Sequence, residues 1–166
     1  MQQNLPQSLD QSHGSALMAV LHNAMSPDDS LRKPATATLK QFEQIPGFIS
    51  LLLLISSPSQ NIPVPINQFA AIQLKNVIGR NWRRGNIQEN ERISIKQNLL
   101  QRLNETNSQV AEQLLVIVSK IAREDVPEKW PNLFDILTQQ LSFPHAPFVM
   151  PISPDRLNSF GGKARL

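Results

Sequence analysis

The sequence predicts an all-α fold made of stacked helical hairpins, and three observations carry that expectation. Apolar residues recur at helical spacing along most of the chain, while the alternation typical of a half-buried strand is scarce. Breaker residues punctuate these stretches at Ser26-Pro27-Asp28-Asp29, Pro46-Gly47, the segment 57–65, Gly85-Asn86 and Pro127. The second helix of each successive pair begins near Ser30, Ile66 and Ser108, a spacing of about 36 to 42 residues.

Each element follows from its residues. A first helix is expected over 15–25, with Ala16, Leu17, Val20, Leu21 and Ala24 on its apolar side. A second, over 30–44, lines Leu31, Ala35, Leu39 and Phe42 along one face and places Pro34 in its first turn, where a missing N–H costs little. Phe48 to Ser56 is apolar nearly all round, which predicts a buried helix. Prolines 58, 63 and 65 make 57–65 a loop. The helix over 66–83 carries Phe69, Leu74, Val77 and Ile78, and Gly85-Asn86 ends it. Residues 90–103 form the next helix, with Ile93, Ile95, Leu99, Leu100 and Leu103. Residues 108–124 give the clearest pattern, opening on Ser108 as N-cap, with Glu112 just past the first turn and Pro127 as the stop. A last helix over 130–142 sets Leu133, Phe134, Leu137 and Leu141 on one side.

A plain helical bundle has no reason to repeat at the observed interval, whereas stacked hairpins of the HEAT or armadillo kind do. The expected fold class is an all-α, HEAT/armadillo-like solenoid of about three and a half helical hairpins over 15–142. Residues 1–14 read as a polar N-terminal extension, and 143–166 as a Pro-rich, poorly ordered tail.

Composition narrows the function classes. The 166 residues contain no cysteine, which excludes a disulfide scaffold, a thiolate zinc site and a cysteine nucleophile. The three histidines, His13, His22 and His145, lack metal-ligand spacing. Gly161-Gly162-Lys163 follows no strand, so it does not read as a phosphate loop. No nucleophile stands beside a base in the pattern. The reading is a protein that is not an enzyme, with no catalytic, cofactor-binding or metal-binding residues. The N-terminus lacks the basic and apolar regions of a secretory signal, and the longest apolar run falls far short of the roughly 20 residues that span a bilayer. A soluble intracellular protein without membrane insertion is expected, on which the Asn104-Glu105-Thr106 glycosylation triplet is inert.

The placement of charge says more than the net value of +3. No acidic residue lies between Glu43 and Glu89, and that stretch holds Lys75, Arg80, Arg83 and Arg84 around Trp82. On a helix, Ala70, Leu74, Val77 and Ile78 share one face, while Lys75, Asn76, Arg80 and Arg83 occupy the opposite half with Ile72 and Phe69 near them. That makes a basic, partly apolar surface suited to an acidic protein partner. Trp82 reads as a packing residue rather than a platform for a nucleobase.

These residues also carry a likeness. Ala35-Thr36-Ala37-Thr38-Leu39-Lys40-Gln41-Phe42-Glu43, then Pro46-Gly47-Phe48, then Ala71-Ile72-Gln73-Leu74-Lys75-Asn76-Val77-Ile78 and Trp82 resemble the N-terminal domain of the importin-β (karyopherin-β) nuclear transport receptors. The stretch from Val118 to Pro131, with its Trp130-Pro131 pair, is similar to the boundary between that family's third and fourth repeats, and Asn81-Trp82-Arg83-Arg84 is most similar to its importin-eleven branch. The resemblance implies HEAT repeats and binding of the GTP-bound GTPase Ran through inner helices. Carried over by motif, the Ran-contacting candidates are Lys75, Asn76, Arg80, Arg83 and, more loosely, Lys120. It further implies a monomeric shuttling protein of nucleus, cytoplasm and nuclear pore, with cargo and nucleoporins held by further repeats that the chain lacks. Two other readings stand beside it: a generic helical scaffold, and a basic helix binding nucleic acid, which steep salt dependence would identify.

A truncated array exposes the face that its next repeat would cover. Phe134, Leu137 and Leu141 are expected at such an open end, so the purified chain should self-associate; size-exclusion chromatography giving one monomeric, cooperatively melting species would refute this.

Overall fold

The computed structural model describes residues 8–59 and 61–142. Residues 1–7, half of the expected extension, and the expected tail over 143–166 lie outside the described residues. A 3₁₀ turn at Gln11–His13 precedes seven α-helices: α1 (Gly14–Ala24), α2 (Asp29–Phe42), α3 (Phe48–Ile55), α4 (Val64–Asn81), α5 (Glu89–Gln101), α6 (Ser108–Asp125) and α7 (Leu133–Ser142). Among the described residues there is no strand, and the fold is the all-α, HEAT-like helical solenoid read from the sequence. The chain divides into two compact units, one ending at Pro131 and the other beginning at Asn132.

In the first unit α1 pairs with α2, α3 with α4 and α5 with α6; α4 also packs along α6, and α5 touches α3. The core runs through Leu17 and Leu21 of α1, Leu39 of α2, Leu52 and Ile55 of α3, Leu74 and Ile78 of α4, Ile95 and Leu99 of α5, and Ile117 and Ile121 of α6, all buried. α3 is enclosed nearly all round, with Leu54 its one exposed large apolar residue.

Local chemistry sets the helix ends. The Asp28 carboxylate accepts the Ser30 N–H at 2.8 Å and starts α2. That start puts Pro34 inside the helix rather than in its first turn, so the Ser30 carbonyl loses its usual partner. α4 begins at Val64, two residues earlier than the proline count suggests, because Pro65 falls in the first turn, where it needs no N–H. The N-cap of α6 is Asn107, not Ser108: its side chain accepts from the Gln109 and Val110 amides at 3.1 and 3.3 Å.

At the start of α3, Gly47 has φ of +87°, and a β-carbon there would lie 2.1 Å from the Leu9 carbonyl oxygen. Only glycine meets both demands. The close approach lets the Leu9 amide donate to Pro46 O at 2.8 Å, and Leu9 is buried, so residues 8–13 lie against the start of α3. The other end of α3 is closed by side chains. Asn67 Nδ2 donates to the carbonyls of Ile55 and Ser57 at 2.6 and 2.9 Å. Arg102 donates to Leu53 O, Ser56 Oγ and Ser56 O at 3.2, 2.9 and 2.7 Å. These bonds satisfy carbonyls that a helix terminus leaves without partners.

The largest departure from the sequence reading is α5. Its expected apolar face includes Ile93, which is 47% exposed, whereas Arg92 and Lys96 are each only 7% exposed. Both cations enter a buried cluster with Trp82, Asp125 and Trp130. Lys96 Nζ lies 2.5 Å from Asp125 Oδ2 and donates to Lys129 O at 2.9 Å. Trp82 Nε1 donates to Asp125 Oδ1 at 3.0 Å. The Arg92 guanidinium sits 4.8 Å from the Trp82 ring centroid, and Lys96 Nζ lies within 5.8 and 5.6 Å of the two indoles. Rings whose faces attract cations make burial of two positive charges tolerable.

Leu31 on α2 is likewise exposed rather than facing inward. In the second unit, α7 starts at Leu133, after the Trp130-Pro131 pair expected to open it. Leu133 and Ile136 are buried, Phe134 is 62% exposed and Leu137 is half-buried, so Leu133, Phe134 and Leu137, expected on one side, split between inside and outside. Leu141 lies outside the residues whose side chains are described.

Replacing Asp125 by Ala leaves the buried Lys96 ammonium without a counter-charge and the Trp82 N–H without an acceptor. We expect a loss of about 3–5 kcal/mol in urea denaturation, and a loss below about 1 kcal/mol would show that the cluster does not hold these helices together.

Candidate functional site

α4 and α6 lie side by side. Their apolar faces, Ala70, Leu74, Val77 and Ile78 on α4 and Leu114, Ile117, Val118 and Ile121 on α6, are buried. Helical periodicity then puts Ile72, Lys75, Asn76 and Gly79 on the other side of α4. Ile72 is 38% exposed, and Lys75 and Asn76 are half-buried. On α6, Leu115 and Val116 are exposed. The exposed positions of the two helices thus mix apolar and basic residues.

The five candidate residues do not share one environment. Lys75 and Lys120 make no ion pair among the described residues, and Asn76 makes no side-chain hydrogen bond. Lys120, from α6, reaches across to α4: a β-carbon on Gly79 would lie 2.6 Å from its Nζ. Arg80 turns away to Glu43 at the end of α2. Its Nε and Nη2 donate to the two carboxylate oxygens at 3.1 and 2.7 Å, a bidentate pair, and Asn81 Nδ2 adds a third bond at 2.7 Å. Arg83, in the turn after α4, is well exposed and lies 3.8 Å from Glu124. Trp82 is buried, a packing residue as expected.

The Glu43 pair has an electrostatic signature. Its hydrogen bond from Arg80 holds the Glu43 carboxyl below the ordinary carboxylate range, against burial, which pushes the other way, and with help from Asn81. The same bond raises Arg80 further above its already high value. Sequence reasoning missed this engagement, though Glu43 was visible as the last acid before the basic stretch. It also missed Gly79, whose presence in mid-helix is a signal, since glycine there is about 0.5–1 kcal/mol worse than alanine.

Among the described residues, no group of three or more acidic or histidine side chains is gathered to hold a metal ion, and no helix is long and apolar enough to cross a membrane. The fold and face define a helical-repeat solenoid with an open basic surface. The chain belongs to the importin-β family: the importin-β N-terminal domain matches residues 35–105. Over 133 residues, 78% of this chain, it is 35% identical to mouse (Mus musculus) Importin-11 and covers 14% of that protein. Human (Homo sapiens) Importin-11 is 34% identical over the same length. Exportin-2 of Pagrus major is 32% identical over 139 residues, 81% of this chain and 14% of the relative. The chain thus spans about a seventh of the length of the curated relatives it matches.

Because its folded pKa lies below the unfolded value, Glu43 contributes stability above about pH 4.5 and loses it as pH falls through the folded value. Glu43→Gln should therefore cost about 1 kcal/mol at pH 7, a modest figure because Arg80 is half exposed. The gap between the two proteins should narrow as pH falls below about 4.5; thermal melts at pH 7 and pH 3.5 that keep the same gap would refute this.

Proposed function

We propose that this chain is the Ran-GTP-binding N-terminal module of a nuclear transport receptor, acting in protein transport between cytoplasm and nucleus. Membership of the importin-β family supports the transport role. The observation that carries the Ran assignment is the exposed side of α4 and α6, where Lys75 and Lys120, with no ion pair among the described residues, lie on helices that also expose Ile72 and Val116. Lys75, Asn76 and Lys120 are the direct contacts in this reading, with Arg83 at the edge. Positive charge at the rim of such a patch speeds encounter with an acidic surface, and the apolar residues exclude water once docked.

Arg80 takes a different role here from its neighbours. Its guanidinium is already held by Glu43, so it fixes the end of α2 against α4 and contacts Ran only with its outer edge. The module shuttles between nucleus and cytoplasm in this reading, and cargo and nucleoporin binding belong to the much greater length of the relatives that the chain does not match.

The test is capture of purified Ran loaded with a non-hydrolysable GTP analogue, compared with Ran-GDP, on the immobilised chain. Retention of the GTP form alone is expected, and equal or absent retention of both sinks the assignment. Reversing charge at Lys75 and Lys120 together should weaken binding by about tenfold, chiefly through the association rate, with an unchanged melting temperature; unchanged affinity would place the contact elsewhere.

A further inference from the structure

Lys75, Gly79 and Arg83 recur at intervals of four residues along α4 and its continuation. α4 ends at Asn81, and the last helical amide bond, from Trp82 to Ile78 O at 2.9 Å, leads into the turn that carries Arg83, so Lys75 and Gly79 share one side of α4 and Arg83 follows just beyond its end. This row carries a cation, a glycine and a cation. The neighbouring helix fills the gap: Lys120 Nζ lies over Gly79, where a β-carbon would be 2.6 Å from it and 3.6 and 3.7 Å from Cε and Cδ. The ammonium of α6 thereby takes the Gly79 position, one helical turn along α4 from Lys75 and four residues before Arg83.

We propose that Gly79 is a positioning residue whose missing side chain admits Lys120 to this row, and that the row binds an acidic segment of the protein partner with carboxylates at a matching one-turn spacing. The inference rests on the Ran reading for its partner and deepens it by assigning the chemistry of the docked element. Three features support it. Lys75 and Lys120 have no counter-charge among the described residues, so the row is open to an external anion. Arg83 is only loosely held, with Glu124 at 3.8 Å, and can exchange that contact for a better one. Of the acids near these cations, Glu43 is occupied by Arg80 and Asn81, and Glu124 stands against Arg83. Like charges brought together with so little acid among them favour a partner that brings several carboxylates at once.

The geometry makes the test unusually clean. The atom in the way of a β-carbon is the far end of a flexible side chain, so Gly79→Ala moves Lys120 without disturbing the backbone, and alanine is the better helix former. The full chain carrying Gly79→Ala, Lys120→Met or both is melted and assayed for Ran-GTP association. We expect Gly79→Ala to raise the melting temperature by a few degrees while slowing association about three- to tenfold, Lys120→Met to slow it to a similar degree, and the double variant to be no slower than Lys120→Met. Association of Gly79→Ala at the unmodified rate, or losses that multiply in the double variant, would overturn the proposal. A second readout needs no partner: after reductive ¹³C-methylation, the Lys120 resonance of the free chain should shift on Gly79→Ala, and an unchanged resonance overturns the positioning role. If the unmodified chain fails to bind Ran-GTP while that resonance shifts, the Ran reading falls and Gly79 keeps its role in placing Lys120.

Discussion

One buried carboxylate organises the third hairpin. Asp125, at the last position of α6, accepts from Trp82 beyond α4 and pairs with Lys96 of α5, while its backbone carbonyl accepts from the amides of Lys129 and Trp130. Two distant segments, at Trp82 and Lys96, and the nearby turn at Lys129 and Trp130 therefore converge on a single residue. The second buried cation, Arg92, is met differently: it donates to the Ile87 and Trp82 carbonyls and lies over the Trp82 ring. Burial of two cations against one acid is sustainable only because carbonyl dipoles and indole faces supply the remaining negative potential. Without that arrangement α5 would have to show Arg92 and Lys96 to water, and its present face would no longer meet α3 and α6.

This also explains which parts of the fold the sequence made legible. α3, apolar on every side, and α6, with its clear stripe of Val110, Leu114, Ile117 and Ile121, obey simple burial rules and were readable from spacing alone. α5 was readable as a helix but not in its orientation, because a pattern that counts Arg and Lys as solvent-facing assigns the wrong side to a helix whose buried face carries both. The cap of α6 was misplaced by one residue since Asn107 and Ser108 are both good caps, and only the direction of the side chain decides between them. At the candidate face, Lys75 and Asn76 were reachable through a local motif. The partners that distinguish Arg80 and Lys120 were not, because Glu43 lies 37 residues from Arg80 and Gly79 belongs to a different helix from Lys120.

The basic stretch after Glu43 illustrates how one run of charge is divided by folding. Arg80 serves the joint between α2 and α4, Arg83 loosely faces Glu124, and Lys75 stays unpaired. Lys120 joins them from α6 although the chain separates it by more than a whole hairpin. A surface charge map drawn from sequence would weight these residues alike. Folding commits Arg80 to a joint between helices and gives each of the others a different setting.

The closed end of α3 bears on how the array comes apart. Its carbonyls are capped by Asn67 from its own hairpin and by Arg102 from the next, so the second hairpin borrows part of its polar satisfaction from the third. Repeat arrays with purely apolar interfaces can fray one unit at a time, each loss leaving the remainder intact. Here the departure of Arg102 would take the side-chain donor from the Ser56 carbonyl at the end of α3, with a penalty of about 1–3 kcal/mol for a group left unmet, while Leu53 O keeps its bonds from the Ser56 and Ser57 hydroxyls. Fraying of the third hairpin thus carries part of its cost into the second.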